Sequence, residues 1–388
     1  MKNSSSKLVI FLILFLTIPL FSEFSDATPL QDLDYWPTEE WQTSTLKAQG
    51  MRSKPLQGME SMLESADWRF LVDSILIVKN GYIVYEHYRS ESQLTTPHQV
   101  FSCTKVLTST LIGICVDEGN ITSLDNPAVD YFTDYSFDSY TEKQTITVRH
   151  LLTMTSGLEW VDNNDYYSME SSSNPVEYVL NKTLSSDPGH EWNYNSGGSH
   201  VLSAIVQNAS EVGTAQLAED RIFRPLGIDD YTWNTIGGIP NGGTLLYLKS
   251  RNMAKIGLLY LHGGTWNGTQ IITEEWIETA TSHLIDIQEY WYSGYGYQWW
   301  RLNYANCFGA RGSNTQTIFV FPELDMVVVS TGGGEFPFEW MVQEYILPAT
   351  ETNPFIPWVI GGSIGVGVVG IGLGVFYIIR YKKVKRSA

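Results

Sequence analysis

The chain has 388 residues, including 13 Trp and 22 Tyr, and carries a formal net charge of −18 at pH 7. Nucleic-acid-binding proteins present a basic face that neutralises phosphates, so this acidic composition excludes nucleic-acid binding as the expected function. The length and the apolar content of 43% predict a globular body of one large domain or two modest ones.

The first 27 residues have the pattern of a secretory signal peptide. Lys2 and Lys7 stand before the apolar run LVIFLILFLTIPLF, and the small residues of SDA at 25–27 are typical of a cleavage site. We therefore predict a signal peptide over 1–27, with the body placed outside the cytoplasm. An uncleaved membrane anchor is the alternative interpretation.

The body begins with a polar segment, and its first strong signal is a β-hairpin. Two β-rich runs in 70–88 flank Asn80-Gly81, a dipeptide that favours a two-residue hairpin turn. A mostly apolar helix is then predicted over 102–118, and Gly119 is the residue type expected just after a helix end.

The middle of the chain is predicted to be helical and its last third β-rich. One of the middle helices is expected over 147–160, ending near Gly157. Runs such as TQTIFVFP and DMVVVSTGG then indicate strands. We predict an α+β fold with one antiparallel sheet built from both ends of the domain, flanked by helices and interrupted by an all-helical insertion.

The C-terminal end is predicted to cross a membrane. Residues 358–379 contain no charge and are long enough, at about 1.5 Å per residue, to span a hydrocarbon core of about 30 Å. Five cations follow within residues 380–388, which by the positive-inside rule indicates a cytoplasmic tail. The predicted organisation is therefore a signal peptide, a domain over 28–350 with a helical subdomain at about 103–250, one transmembrane helix at the cell membrane, and a basic tail.

Three cysteines are too few for a disulfide framework. Cys103 and Cys115 lie on one predicted helix, about 18 Å apart along its axis, which is too far for a disulfide. We expect free, buried thiols at these two positions and at Cys307. Four N-x-S/T sequons, at Asn120, Asn181, Asn208 and Asn267, are potential glycan acceptors outside the cell.

Ser102 and Lys105 stand at the start of the apolar helix, where positions three apart share a face. An apolar setting disfavours the charged ammonium, so Lys105 is a candidate base that activates Ser102 as a nucleophile. The same S-x-x-K spacing occurs at Ser4 and Ser44, outside any apolar helix. The alternative roles are a helix N-cap for Ser102 and a snorkelling surface lysine for Lys105.

A second candidate group is Tyr194, in the Gly-rich segment PGHEWNYNSGGSH. A neighbouring lysine cation favours its phenolate form and permits acid/base work, whereas a half-buried loop aromatic is the alternative. His190 and His200 flank it and are expected to be hydrogen-bonding loop residues. No histidine spacing matches a metal site and no phosphate-binding loop follows a strand, so we predict no metal and no cofactor.

The strand FGARG predicts a close approach of backbone to a ligand, because its glycines lack a Cβ. Arg311 would either enter the site and meet an anionic substrate group or face solvent. A backbone N–H of such a strand, together with that of Ser102 at the helix start, would suit an oxyanion hole.

These segments together resemble the serine hydrolases that share the fold of class C β-lactamases and penicillin-binding proteins. The resemblance covers about 35–345 and is carried by FSCTK, ITVRHLLTMTSGLEW, PGHEWNYNSGGSHVLSAIV, YGYQWW and FPELDMVVV. The segments YWPTEEW, LLTMTSGLEW and YNSGGSH are most similar to the branch with 6-aminohexanoate-dimer hydrolase and related esterases.

The resemblance implies a role for each matched residue. It implies Ser102 as the acylated nucleophile, Lys105 as its base, Tyr194 as acid/base and Ser196 as the third member of the Tyr motif. It also implies Gly312 in the edge strand and backbone N–H groups of Ser102 and Ser313 as the oxyanion hole.

Two departures from the family pattern bear on the substrate. Ser196 stands where the family often has Asn, and Ala310-Arg311-Gly312 stands where it often has K-T-G or H-x-G. We predict an enzyme that cleaves a small-molecule ester or amide. The alternatives are a penicillin-recognising peptidase or β-lactamase, and a catalytically silent binding module at the cell surface. The sequence leaves the oligomeric state open.

Overall fold

The computed structural model describes residues 33–65, 71–287, 289–304 and 306–350. The strands of this part are β1 (Ser74–Lys79), β2 (Tyr82–Tyr88), β3 (His98–Gln99), β4 (Thr232–Trp233), β5 (Thr235–Ile236), β6 (Ile239–Pro240), β7 (Leu246–Leu248), β8 (Thr265–Trp266), β9 (Thr269–Gln270), β10 (Ile285–Asp286), β11 (Tyr292–Tyr295), β12 (Trp300–Leu302), β13 (Phe308–Gly312), β14 (Gln316–Phe321) and β15 (Met326–Thr331).

Eight of these strands form one antiparallel sheet in the order β10-β11-β12-β13-β14-β15-β1-β2. The N-terminal hairpin therefore joins the C-terminal strands, with Ser74 opposite Thr331 and Lys79 opposite Met326. Asn80 and Gly81 both have positive φ, 51° and 79°, which is the geometry that an Asn-Gly turn supplies. The predicted hairpin and the predicted sheet built from both ends of the domain are confirmed.

The helices surround this sheet and fill the segment between its two halves. They are α1 (Ser53–Leu63), α2 (Glu91–Thr95), α3 (Thr104–Asp117), α4 (Tyr140–Lys143), α5 (Val148–Leu152), α6 (Asp162–Glu170), α7 (Pro175–Leu180), α8 (Ser196–Ala209), α9 (Gly213–Ala218), α10 (Ser250–Leu261), α11 (Glu274–Thr281) and α12 (Phe338–Met341). A 3₁₀ turn over Phe101–Cys103 leads into α3, and Gly119 follows the helix with φ of 79°.

The sheet separates two hydrophobic cores, because successive side chains of a strand point to opposite faces. On β15, Val327 and Val329 belong to the core that also contains α3, α8 and α10, whereas Met326 and Val328 belong to the other. The second core is closed by α1 and by α12. The site described below lies where the N-terminal ends of α3 and α8 meet the C-terminal end of β13.

The prediction of a transmembrane helix in this architecture needs correction. Among the residues that the structure describes, no helix is both long enough and apolar enough to cross a membrane. The segment 358–379 on which the helix was predicted lies outside the described residues, as do the predicted signal peptide and the basic tail.

The insertion is mostly, but not entirely, helical. The strand β7 pairs with both β3 and β4, and β5 and β6 form a hairpin, so the four short strands β4 to β7 lie within the segment predicted to contain only helices. Gly237 and Gly238 have φ of 59° and 81°, which lets the chain reverse, and the flanking Thr, Trp and Ile favour strands. All three cysteines are free and buried, as predicted.

Candidate active site

Ser102 lies on a tight turn that precedes α3. Phe101, the residue before it, has φ of 44°, a left-handed conformation that costs a non-glycine residue about 1–2 kcal/mol. The turn is held from one side by the Val100 N–H, which donates to the Leu246 carbonyl at 2.8 Å. The predicted helix thus begins two residues later than expected, at Thr104, and Ser102 occupies a constrained turn just before its N-terminal end.

Lys105 is almost completely buried, with 1% of its surface exposed. Its Nζ lies 3.0 Å from Ser102 Oγ, 3.0 Å from Ser196 Oγ and 2.8 Å from the Gly243 carbonyl oxygen. All three contacts are to uncharged oxygens. The structure therefore brings the predicted Ser–Lys pair together and adds Ser196, which is 91 residues away from Lys105 in sequence.

The Gly243 carbonyl is fixed by a loop that sequence reasoning did not single out. Asn241 Oδ1 accepts from the Gly243 and Thr244 N–H groups at 2.8 and 3.1 Å, and its Nδ2 donates to Tyr166 Oη at 2.9 Å. A Cβ added to Gly243 would lie 2.8 Å from the Ser196 carbonyl oxygen, so only glycine fits there. The loop therefore gives Lys105 a fixed backbone acceptor in addition to the two serine hydroxyls.

Tyr194 and Ser196 lie at the N-terminal end of α8. Asn195 between them caps the helix, because its Oδ1 accepts from the Gly198 N–H at 2.8 Å. The Tyr194 ring centroid lies 4.9 Å from Lys105 Nζ, and the ring is stacked on that of Trp300, 5.9 Å away at an interplanar angle of 25°, with Trp192 also in contact at 6.2 Å. The predicted acid/base residue is thus beside the lysine and held by aromatic packing.

Asp162 is the main residue of the site that sequence reasoning missed. It is the first residue of α6, and its carboxylate accepts from Ser196 N at 2.8 Å and Ser196 Oγ at 3.0 Å. Trp160 Nε1 also donates to it at 2.8 Å. An acidic residue in a first helical turn is common for helix-dipole reasons alone, so its sequence position gave no distinguishing signal.

The strand β13 lies inside the sheet between β12 and β14, not at its edge as the resemblance implied, and its C-terminal end passes directly beside the Ser102 turn. A Cβ on Gly312 would lie 2.5 Å from the Val100 carbonyl oxygen and 3.0 Å from Ser102 N, so the glycine allows β13 to approach the backbone of the Ser102 turn. The approach of this strand to a ligand stays a prediction. Arg311 Nε lies 3.6 Å from Oε1 of Glu339, whose side chain is 2% exposed and also accepts from Tyr292 Oη. The Arg311 side chain remains 41% exposed.

These elements enclose one cavity of about 350 Å³. Its walls combine a candidate nucleophile, aromatic rings and charged groups. They are formed by Ser102, Asp162, Trp192, Tyr194, Glu289, Trp300, Arg311, Gly312, Ser313 and Glu335. Three carboxylates line the cavity against one guanidinium, and that guanidinium already faces the buried Glu339, so the cavity favours neutral or cationic molecules over anionic ones.

His200 differs from the expectation that it is a hydrogen-bonding loop residue. It lies on α8, fully buried, and neither ring nitrogen has a hydrogen-bond partner among the described residues. Burial lowers the pKa of His200 to about 4. Within the described ranges, no group of three or more His, Cys, Asp and Glu side chains is arranged to hold a metal ion.

Comparison with known proteins shows which family and which proteins the chain is similar to. The family model described as "Beta-lactamase" matches residues 61–337. The 6-aminohexanoate-dimer hydrolase of Paenarthrobacter ureafaciens is 24% identical over 304 residues, which are 71% of this chain and 74% of that protein. Monacolin J acid methylbutanoyltransferase of Aspergillus terreus is 28% identical over 162 residues, 36% of this chain and 39% of that protein.

Solved structures share the fold. A putative 6-aminohexanoate-dimer hydrolase from Bacillus anthracis superimposes with a TM-score of 0.66 at 21% identity, covering 83% of this chain and 90% of that one. A family VIII carboxylesterase superimposes with a TM-score of 0.58 at 17% identity, covering 76% and 96%. These likenesses agree with the predicted α+β architecture.

Proposed function

The chain belongs to the beta-lactamase family and is a serine hydrolase, and from this premise we propose that it cleaves a small ester or amide through an acyl-enzyme on Ser102. The observation that carries the proposal is the 3.0 Å contact between Ser102 Oγ and the buried Lys105 Nζ, at a cavity large enough for a small molecule. The names of the relatives, a dimer hydrolase and a carboxylesterase, agree with this substrate class.

Acylation begins with the transfer of the Ser102 hydroxyl proton to the neutral amine of Lys105. Ser102 Oγ then bonds to the substrate carbonyl carbon, and the oxyanion that forms accepts hydrogen bonds from the backbone N–H groups of Ser102 and Ser313. When the carbonyl re-forms, the bond to the leaving alcohol or amine breaks and Tyr194 supplies the proton that this group needs. The Lys105 ammonium restores the Tyr194 proton, so both residues return to their starting state.

Deacylation repeats these steps with water as the nucleophile. Water gives one proton to the Lys105–Tyr194 pair and attacks the acyl carbon, the same oxyanion site stabilises the intermediate, and Ser102 leaves with a proton from the pair. The products are a carboxylic acid and the regenerated enzyme. No step requires a group beyond substrate, water and these side chains.

The runner-up activity, penicillin recognition, is disfavoured by the charge of the cavity. A β-lactam or peptide substrate brings a carboxylate, which would meet Asp162, Glu289 and Glu335 at the cavity wall. Arg311 stands where a K-T-G strand would offer a Lys, but its guanidinium already faces the buried Glu339. We expect turnover of p-nitrophenyl esters and little or no turnover of nitrocefin; efficient nitrocefin hydrolysis would favour the β-lactamase alternative.

Covalent labelling with a fluorophosphonate tests the nucleophile. Wild-type protein is expected to label, and Ser102→Ala is expected not to. Ser44→Ala is the matched control, because Ser44 belongs to another S-x-x-K sequence, with Lys47 three residues later in a surface-exposed part of the chain. Equal labelling of Ser102→Ala, or no labelling of folded wild-type protein beside a labelled control hydrolase, would contradict the proposal.

We further propose that the hydrolase domain lies outside the cytoplasm. The support for this location is the signal-peptide pattern of 1–27. Protease added to intact cells is expected to digest the domain while a cytoplasmic marker survives. Protection of the domain until the cells are lysed would refute the location and leave the catalytic proposal untouched.

A further inference from the structure

The carboxylate of Asp162 accepts hydrogen bonds from both the backbone N–H and the side-chain hydroxyl of Ser196, the first residue of α8. Asp162 Oδ1 accepts from Ser196 N at 2.8 Å, and Oδ2 lies 3.0 Å from Ser196 Oγ. Trp160 Nε1 also donates to Oδ1, at 2.8 Å. An ionised carboxylate can only accept hydrogen bonds. The proton of the Ser196 hydroxyl therefore lies on the Asp162 side.

This direction decides what Ser196 offers to Lys105. With its own proton committed to Asp162, Ser196 Oγ presents only lone pairs to Lys105 Nζ, 3.0 Å away. The Gly243 carbonyl oxygen, 2.8 Å from the same Nζ, is also an acceptor only. Two of the three hydrogen-bond partners of the Lys105 amine can therefore only accept an N–H from it.

A neutral amine has two N–H bonds and one lone pair. Because Ser196 Oγ and the Gly243 carbonyl take the two N–H bonds, the lone pair of Lys105 is left for its third neighbour, Ser102 Oγ, at 3.0 Å. That is the orientation in which Lys105 can accept the Ser102 proton. A Ser196 hydroxyl turned the other way would donate to this lone pair and compete with Ser102.

We propose that Asp162 is a positioning residue that fixes the hydroxyl direction of Ser196 and thereby aims the lone pair of Lys105 at Ser102. The inference rests on the proposed function, because it assigns a task to Asp162 only if Lys105 is the base. Asp162 itself neither gains nor loses a proton in the reaction. The proton moves from Ser102 Oγ to Lys105 Nζ.

The substitution Asp162→Asn tests this role with minimal change in shape. Two N–H donors, from Ser196 and Trp160, face Oδ1 of residue 162, so the amide oxygen of Asn takes that place and its Nδ2 faces Ser196 Oγ. The Nδ2 group donates, which turns the Ser196 proton toward Lys105. We expect kcat for p-nitrophenyl butyrate to fall by about 10- to 100-fold, as for partial loss of a general base, with KM changed less than about threefold.

The decisive measurement repeats the substitution in a Ser196→Ala background. Without the hydroxyl there is no proton to misdirect, so Asp162→Asn is expected to change kcat by less than about twofold in Ser196→Ala, although it costs 10-fold or more in the wild type. Losses that multiply in the double variant would overturn the inference, because Asp162 would then act through its charge or through the fold.

Two further variants keep the test interpretable. Asp165→Asn is the matched control, since Asp165 lies on the same helix and accepts from Val161 N, Tyr178 Oη and Lys182 away from Ser102; its kcat is expected to stay within about twofold. Asp162→Ala removes the acceptor without adding a donor and replaces the Asn variant in the cycle if thermal unfolding shows that variant to be unfolded. Fluorophosphonate labelling of wild-type Ser102 separates the two claims: absence of labelling refutes the proposed function, whereas labelling with multiplying losses refutes only the role of Asp162.

Discussion

The substitution Gly312→Ala should impair catalysis while leaving the fold intact. The added Cβ would lie 2.5 Å from the Val100 carbonyl oxygen, 3.0 Å from Ser102 N and 3.1 Å from Phe101 Cβ. A carbon and a carbonyl oxygen approach no closer than about 3.3 Å, so β13 and the Ser102 turn must separate by about 0.8 Å. The obstructing atoms belong to backbone and to a Cβ, so no flexible side-chain end can yield instead.

This displacement acts on the proposed oxyanion hole, whose two donors sit on the two segments that are pushed apart. Oxyanion donors work at about 2.7–3.1 Å, and loss of one donor costs about 10²- to 10³-fold in kcat. We therefore expect kcat for p-nitrophenyl butyrate to fall about 100-fold in Gly312→Ala. The loss in unfolding free energy should be about 1–3 kcal/mol, as for overpacking, measured by denaturant unfolding.

Gly198→Ala is the matched control for this experiment. Gly198 lies on α8, has no positive φ, and a Cβ there would meet its nearest neighbour, Leu151 Cδ2, at 3.4 Å, an ordinary contact. Its kcat should stay within about twofold of wild type and its stability should not fall. A folded Gly312→Ala enzyme with wild-type kcat would refute the assignment of β13 to the oxyanion hole.

The remaining predictions concern the base, the acid and the buried histidine. Lys105→Met, which keeps an unbranched side chain, should lower kcat by 10²-fold or more, and wild-type-like steady-state rates would contradict its role as base. Tyr194→Phe keeps the ring packed on Trp300 and should slow esters of poor leaving groups more than p-nitrophenyl esters; equal losses for both ester classes would argue against proton donation by Tyr194. Burial lowers the pKa of His200 from its usual 6.5 to about 4. Between about pH 4 and 6.5 the imidazole is therefore protonated in the unfolded chain but neutral in the folded protein. The free energy of unfolding should consequently fall as the pH drops from about 6.5 toward 4. The loss should reach about 3 kcal/mol in chemical denaturation and be much smaller in His200→Leu, whereas the exposed-residue control His190→Leu should retain it.

The sequence was informative where the signal is local. Asn80-Gly81 between two β-rich runs predicted the hairpin, and the apolar runs after residue 290 predicted the C-terminal strands, of which β15 pairs with the hairpin. Ser102 and Lys105 are three residues apart, so the geometry of a single helix start was enough to predict their contact.

The rest of the site depends on contacts between distant segments, which periodicity does not encode. The acceptors for Lys105 come from Ser196 and Gly243, and the acceptor for Ser196 comes from Asp162 on another helix. A contact between distant segments also explains why the helix predicted over 147–160 ends at Leu152. Met154 adopts φ of 61°, and its carbonyl oxygen and sulfur accept from the N–H groups of the segment that carries Tyr194.

The central claim is that the acyl group of the substrate is transferred to Ser102, while the alcohol or amine leaves. The most direct test mixes the enzyme with a p-nitrophenyl ester, quenches with acid within the first turnovers, digests the protein and locates the added acyl mass by tandem mass spectrometry. We predict that the acyl group is found on Ser102 and that it is absent in Ser102→Ala. Turnover with the acyl group on another residue, or with no covalent adduct in a variant made slow to deacylate, would contradict it.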